Sequence, residues 1–205
     1  MKDTVVVFAR VPRLGAVKRR LARDIGNRAA LRFHVATMTR LVRALAADRR
    51  VRTVLAVTPD HARFRLPARV PRLAQGCGDL GVRMHRVFWR FRHGRVAIIG
   101  CDIPDAGPLD ARAAFRALGS AQAAFGPAAD GGYWLVAMSP RRPERPFAAV
   151  RWSSEFALAD TLVNFAGRRI ALLRILHDVD TAADWHRSRS AERPSEIRLG
   201  VGSGL

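Results

Sequence analysis

The stretch TVVVFARVPRLGAVKRRL, residues 4–21, decides how the rest of the chain is read. Its first six residues are apolar or β-branched and end at a loop containing Pro12 and Gly15. A run of that kind, bounded by such a loop, predicts a buried strand. Positive charge then gathers at once: Arg10, Lys18, Arg19 and Arg20 surround Gly15. Gly15 lets the backbone turn tightly or approach a ligand closely. The helix that starts here offers free N–H groups and the positive end of its dipole. With Arg10, Lys18 and Arg20 as cations, the loop reads as a cradle for phosphate. The alternative is a simple turn followed by a solvated basic helix face, because the motif is neither GxxxxGK[ST] nor GxGxxG.

Outward from this stretch, strand-length apolar runs alternate with helix-patterned segments. Gly26 and Asn27 read as a helix stop and a new N-cap. Residues 28–47 then repeat Leu31, Val35, Met38, Leu41, Val42 and Leu45 at helical spacing. Residues 53–58 predict a second strand, ended by Pro59-Asp60, and a short third strand is expected near residues 70–74. Residues 79–91 form a helical pattern with Leu80, Met84, Val87, Phe88 and Phe91 on one face. VAIIG (residues 96–100) is a fourth strand, and residues 108–118 a helix with Pro108 at its start. Residues 122–125 and 133–138 read as strands around a Gly-rich turn. Residues 153–165 are helical, 170–176 a last strand, and 181–187 a short helix. From Ser188 the composition turns polar and Gly-rich, which predicts a loose tail. The expected organisation is one domain over residues 1–187 with a flexible tail over 188–205. Such alternation implies an α/β fold: a mostly parallel, Rossmann-like sheet in a three-layer α/β/α sandwich.

Composition bounds the function. The chain has 205 residues, 49% of them hydrophobic and 26% charged, as in a soluble globular protein. No apolar run approaches the ~20 residues that span a bilayer, and no leader pattern opens the chain. The cytoplasm is therefore the expected location, with no membrane span. Cys77 and Cys101 make neither a disulfide framework nor a CxxC knuckle, and both are expected to be buried thiols. The net charge of +19 suggests affinity for polyanions that weakens with salt. Yet Arg is spread along the chain, and Lys occurs only at Lys2 and Lys18. That pattern looks like a compositional substitution of Arg for Lys, so nucleic acid is not the expected partner. Lys18 stands out as a retained lysine, a compact point charge able to follow a phosphate. The oligomeric state is open, a homodimer included.

In open α/β sheets, ligands bind beyond the carboxyl ends of the strands, so the residues just after each strand are the candidates. GCDIPD follows the fourth strand, with Asp102 two residues beyond the last apolar position and Ile103-Pro104 bending the chain away. Hard divalent cations such as Mg²⁺ bind through one or two carboxylates plus substrate phosphates, and Asp102 suits that role; the alternative is a cap at the turn. FGPAADGGYWL follows the fifth strand. Asp130 with its two glycines fits either a hairpin turn or a carboxylate projecting into the cleft beside Tyr133 and Trp134. In HDVDTAADW, Asp180-Thr181 with Asp184 resembles a helix-capping box, while Asp178 and Asp180 could equally supply further metal ligands. Asp79, before the third helix, either caps it or binds a ribose hydroxyl or base edge. No nucleophile–base set stands out. Cations, carboxylates and glycines suit metal-assisted transfer at a phosphate-bearing centre.

Taken together, FARVPRLGAVKRRL, GDLGVRM, VAIIGCDIPD, GPAADGGYWL, the Trp152-Ser153 pair and DVDT, in that order over residues 4–185, resemble a bacterial family of GT-A-fold glycosyltransferases. That family is related to nucleotidyltransferases such as 2-phospho-lactate guanylyltransferase. The family usually carries Thr after the loop lysine, where this chain has Arg19. The resemblance implies a nucleotide-diphospho-sugar transferase fold. It implies that Gly15 and Lys18 hold nucleotide phosphates, with Arg10, Arg20 and Asp79 as further nucleotide contacts. It also implies Asp102 as the metal-binding carboxylate, Asp180 as a second ligand, and Asp130 at the acceptor or second-metal position. Lys18, Asp102 and Asp130 would then be the catalytic set, with Mg²⁺ or Mn²⁺ as cofactor. The implied activity is glycosyl transfer from a nucleotide-sugar to an unidentified small-molecule acceptor. The alternatives are nucleotidyl transfer from an NTP to a phosphorylated small molecule, and a non-catalytic basic protein that binds nucleotide or nucleic acid.

Overall fold

A run of three valines, Val5 to Val7, is fully buried in β1 (Asp3–Arg10), with side chains pointing to both faces of a sheet. Only a strand covered on both sides can be apolar at every position. The structure, a computed structural model, describes residues 2–62, 64 and 69–191. After β1 come α1 (Arg19–Ile25), α2 (Asn27–Ala47), β2 (Val51–Thr58), β3 (Arg72–Ala74), α3 (Leu80–Arg90) and β4 (Val96–Gly100). Then follow α4 (Pro108–Ala117), β5 (Ala123–Pro127), β6 (Tyr133–Met138), α5 (Ala157–Val163), β7 (Ile170–Leu172) and α6 (Ala182–Ala191).

The strands form one seven-stranded sheet in the order β3-β2-β1-β4-β6-β5-β7. Val7 pairs in parallel with Leu55 of β2 and Ile99 of β4. Only β6 runs the other way, antiparallel to β4 and β5. The carboxyl ends of the other six strands therefore share one edge, and β6 begins there. Met38, Leu41 and Leu45 of α2 and Ala111, Ala114 and Phe115 of α4 cover one face. Met84, Val87 and Phe88 of α3, with Leu158 and Leu162 of α5, cover the other. Phe125, wholly buried, meets Tyr133 and Phe165 edge to face at 5.4 Å. Burial of a side chain of that size contributes about 1.5–3 kcal/mol. Leu21, Ala30 and Val179 join α1, α2 and the segment before α6 into a smaller cluster. No helix among the described residues is long and apolar enough to cross a membrane.

The α/β/α sandwich expected from the sequence is present, and its departures from expectation are local. Gly26, at φ 84°, ends α1 and also caps α2, so Asn27 lies inside the helix instead of before it. On α2, Val35 faces outward, while His34 and Thr37 are buried in the stripe. The helix expected from residue 153 begins only at Ala157, because Ser153 takes a left-handed conformation at φ 60°. The last strand ends at Leu172, and Leu176 rejoins the sheet by a single bridge to Ala128. Cys101 is buried, but Cys77 is exposed in the loop before α3, which corrects the expectation of two buried thiols. α6 continues to Ala191, past the Ser188 boundary expected for the tail, and the rest of that expectation, residues 192–205, lies outside the described residues.

Candidate active site

The loop after β1 is pinned by two buried valines, Val11 and Val17. Between them Gly15 turns at φ 73°. Lys18 follows in a left-handed conformation, φ 47° and ψ 50°, at the start of α1. A residue with a Cβ pays about 1–2 kcal/mol for that backbone, and such strain collects at functional sites. Its effect here is to send the lysine inward, so that the side chain is only 3% exposed. Lys18 Nζ donates to Asp180 Oδ1 at 3.0 Å and lies 3.3 Å from Asp102 Oδ2. Arg20 Nη1 approaches the other Asp180 oxygen at 3.8 Å. Burial pulls the ammonium pKa down, but Asp102, Asp180 and Asp178 outweigh it and the net shift is upward. Lys18 stays charged.

Asp102 sits where β4 runs out, its carboxylate about half exposed. Burial alone would raise its pKa; His34 and Lys18 reverse this and hold it well below the usual carboxylate range. Behind it, His34 of α2 places Nε2 3.0 Å from the Arg10 carbonyl oxygen. Its buried Nδ1 faces Asp102 Oδ1 at 3.5 Å, outside hydrogen-bond geometry and an ion pair when the ring carries both protons. Cys101 Sγ donates to the same oxygen at 3.5 Å, and burial pushes that thiol pKa far up.

Asp102 is the wall between two cavities. The smaller, about 310 Å³, is lined by Arg10, Lys18, Arg19, Arg20, His34 and Asp180 along with Asp102. The larger, about 420 Å³, is lined by Asp102, Asp130 and Asp178 together with Tyr133, Trp134 and Trp152. Two glycines seat the tryptophans. A Cβ on Gly126 would lie 2.5 Å from Trp134, and one on Gly81 2.8 Å from Trp152. Trp134 Nε1 donates to the Arg174 carbonyl at 3.3 Å.

The structure thus brings Arg10, Lys18, Arg20, Asp102 and Asp180 around one cavity, and Asp102 and Asp130 around the other. Asp130 is exposed, and its Oδ1 accepts from the Gly132 amide at 2.9 Å across the turn. Gly15 shapes the loop but lines neither cavity. Asp79 caps α3, accepting from the Val82 amide at 2.8 Å, and also lines neither. For Asp180 the two sequence readings separate cleanly. The cap of α6 is made by Thr181 and Asp184, whose side chains and amides exchange bonds at 2.9 and 3.3 Å, so the Asp180 carboxylate is left to Lys18. Three residues gain weight that sequence gave them weakly or not at all: His34, Asp178 and Trp152. The signal for His34 was a polar residue inside the apolar stripe of α2.

A hard divalent cation binds through one or two carboxylates plus phosphate oxygens. Among the described residues, the side chains whose ligand atoms gather within 4.8 Å of one another are His34, Cys101 and Asp102; Asp178 and Asp180 line the two cavities on either side of Asp102 and do not join that group. Burial, Asp180 and Asp130 push the Asp178 carboxyl pKa upward despite Lys18, a sign of carboxylates short of positive charge. A neutral His34 would offer its buried Nδ1 beside Asp102, so the side chains that fit a divalent ion here are Asp102 and His34, with the Asp178 and Asp180 carboxylates farther out along the two cavities.

This strand order and this edge site define the nucleotide-diphospho-sugar transferase fold. A candidate nucleotide-diphospho-sugar transferase from Desulfovibrio desulfuricans G20 superimposes with a TM-score of 0.86 at 26% identity, over 97% of this chain and 91% of that one. The 4-diphosphocytidyl-2C-methyl-D-erythritol synthase of Anaerococcus prevotii DSM 20548 shares the fold at 9% identity and a TM-score of 0.58, covering 93% and 95%. Rv0371c of Mycobacterium tuberculosis H37Rv, solved as a manganese complex, does so at 19% identity and a TM-score of 0.51, covering 91% and 97%. No curated protein sequence is significantly similar. The chain belongs to the bacterial family DUF2064, described as an uncharacterized protein conserved in bacteria, whose pattern matches residues 38–154. That span holds Asp102, Asp130 and Trp152; Lys18, His34, Asp178 and Asp180 lie outside it.

Proposed function

We propose that the chain is a divalent-metal-dependent transferase that uses an activated nucleotide, and that it moves a sugar from a nucleotide-sugar to a small-molecule acceptor. The observation that carries this reading is the meeting of Lys18 Nζ with Asp180 and Asp102 at 3.0 and 3.3 Å, at the strand-end crevice and between two cavities of opposite character. The smaller cavity suits a diphosphate. There Lys18, Arg10 and Arg20 bind the phosphates and hold the charge that develops on them, the role of positioned cations in transfer reactions. Mg²⁺ or Mn²⁺ held by Asp102 with Asp178 or Asp180 would supply further positive charge against the diphosphate oxygens; the manganese complex of Rv0371c supports Mn²⁺ as the first ion to test.

In the larger cavity, an acceptor hydroxyl faces Asp130. Its oxygen forms the new bond to the sugar carbon, its proton passes to Asp130, and the nucleoside diphosphate leaves with the electron pair of the broken C–O bond. A second reading, nucleotidyl transfer to a phosphorylated acceptor, is supported by the fold shared with the diphosphocytidyl-methylerythritol synthase. Calorimetry with UDP- and GDP-sugars and with nucleoside triphosphates, each with and without Mn²⁺, tests the proposal. Mn²⁺-dependent binding is expected, with loss of about 100-fold or more in turnover for Asp102→Asn. Unchanged metal and nucleotide binding in that variant sinks the assignment.

A further inference from the structure

The larger cavity is acidic in a strongly basic chain. The chain carries 36 Lys and Arg residues against 17 Asp and Glu, yet none of the residues lining this cavity is basic. Its charged groups are Asp102, Asp130 and Asp178. Three basic residues near its walls are already paired: Arg151 with Asp160 at 2.8 Å, Arg174 with Asp110 at 2.7 Å, and Lys18 with Asp180 and Asp102. The rest of the wall is aromatic and aliphatic. Tyr133 and Trp152 stand edge to face with ring centroids 6.3 Å apart.

We propose that the acceptor taken by this cavity is a hydroxyl-bearing molecule with no phosphate or other anionic group and with a flat C–H face, such as a neutral glycoside. The inference rests on the transferase reading above and narrows its acceptor. Ionised carboxylates accept hydrogen bonds from hydroxyl groups, and aromatic faces take up apolar surface. A phosphorylated acceptor would instead set its charge against three carboxylates, and like charges brought together at an interface suppress the wrong partner. One divalent cation at Asp102 still leaves the exposed Asp130 carboxylate facing the acceptor. The cavity thereby favours glycosyl transfer over nucleotidyl transfer to a phosphate, a choice the cationic side leaves open.

The test is saturation-transfer NMR on the full chain with the phosphate side first filled by Mn²⁺ and UDP or GDP. Methyl glycosides are compared with the corresponding sugar phosphates at physiological salt. The glycosides are expected to bind about tenfold tighter or better, a step of one decade in Kd. Trp152→Ala should weaken them about fivefold, while Trp152→Phe, which keeps the wall, should stay within about twofold. Asp130→Lys, at an exposed turn, should narrow or reverse the preference, with circular dichroism confirming an unchanged fold. Sugar phosphates that bind as tightly as the glycosides, or glycosides that do not bind at all, overturn the proposal. The broader reading fails separately. Absence of Mn²⁺-dependent nucleotide binding defeats the transferase assignment, and the same glycoside–phosphate comparison run with inorganic pyrophosphate in place of nucleotide still decides the acceptor chemistry.

Discussion

The two cavities share Asp102 and little else. The smaller is built by the amino-terminal part of the chain, from the loop after β1 and from α2, and its cations are Arg10, Lys18, Arg19 and Arg20. The larger is built around β4, β6 and the turn before β6, with three carboxylates and four aromatic rings and no basic side chain. A net charge of +19 predicts nothing of this division. Whole-chain charge speaks to solubility and non-specific attraction; chemistry depends on how charge is sorted across a few ångströms, and here the sorting line is one aspartate.

The strongest blow to this division is removal of Lys18. Lys18→Met leaves Asp102 and Asp180 facing each other without their shared cation. Turnover is expected to fall about 100-fold or more, on the scale of a lost oxyanion donor. Lys18→Arg should restore little, because a planar fork cannot replace a buried point charge. Glycoside binding in the larger cavity should be nearly unaffected, and steady-state kinetics beside ligand NMR would separate the two sides.

A smaller effect tests the aromatic wall. In Gly81→Ala the new Cβ meets Trp152 at 2.8 Å and Phe147 at 3.0 Å. Overpacking of that kind costs about 1–3 kcal/mol, read from the urea midpoint. Nucleotide binding should persist in the folded variant while the glycoside signal weakens.

The mildest prediction concerns Asp178, where the sign is informative. Burial, with Asp180 and Asp130 beside it, raises this carboxyl pKa. The folded chain therefore holds that proton more tightly than the unfolded chain, and stability falls as pH rises through the carboxyl range. Asp178→Asn removes that penalty. Without metal, the variant should melt slightly higher than the wild type at pH 7, by a few degrees at most. The difference should close once pH drops below the ordinary aspartate range. Added Mn²⁺ should reverse the order, because the wild type keeps a donor that the variant has lost.

Much of this was legible in the sequence, and what was missed has a physical reason. The strands declared themselves because both faces of the sheet are covered, so VVV and VAII carry no alternation to misread. Asp102 was legible because a carboxylate just past an all-apolar strand has few places to go. Asp180 was ambiguous because capping and ligation use the same residue type; only three dimensions show Thr181 and Asp184 making the cap. The Lys18–Asp180 bond joins residues 162 positions apart, and no local pattern encodes such a pairing. Asp79 kept two readings for the same reason, and its bond to Val82 shows a cap away from both cavities. The late start of α5 followed from the left-handed backbone at Ser153, a state that residue identity does not announce.

The reversed direction of β6 has a consequence for how such a chain can diversify. Because β6 returns immediately beside β5, five residues, from Ala128 to Gly132, join the two strands at the edge of the crevice. A longer or differently charged connection there would reshape the receiving side while the sheet, its layers and the cationic loop stayed as they are. The hairpin is in effect an interchangeable fitting on a fixed frame, and related chains with different acceptors should differ first in those five positions.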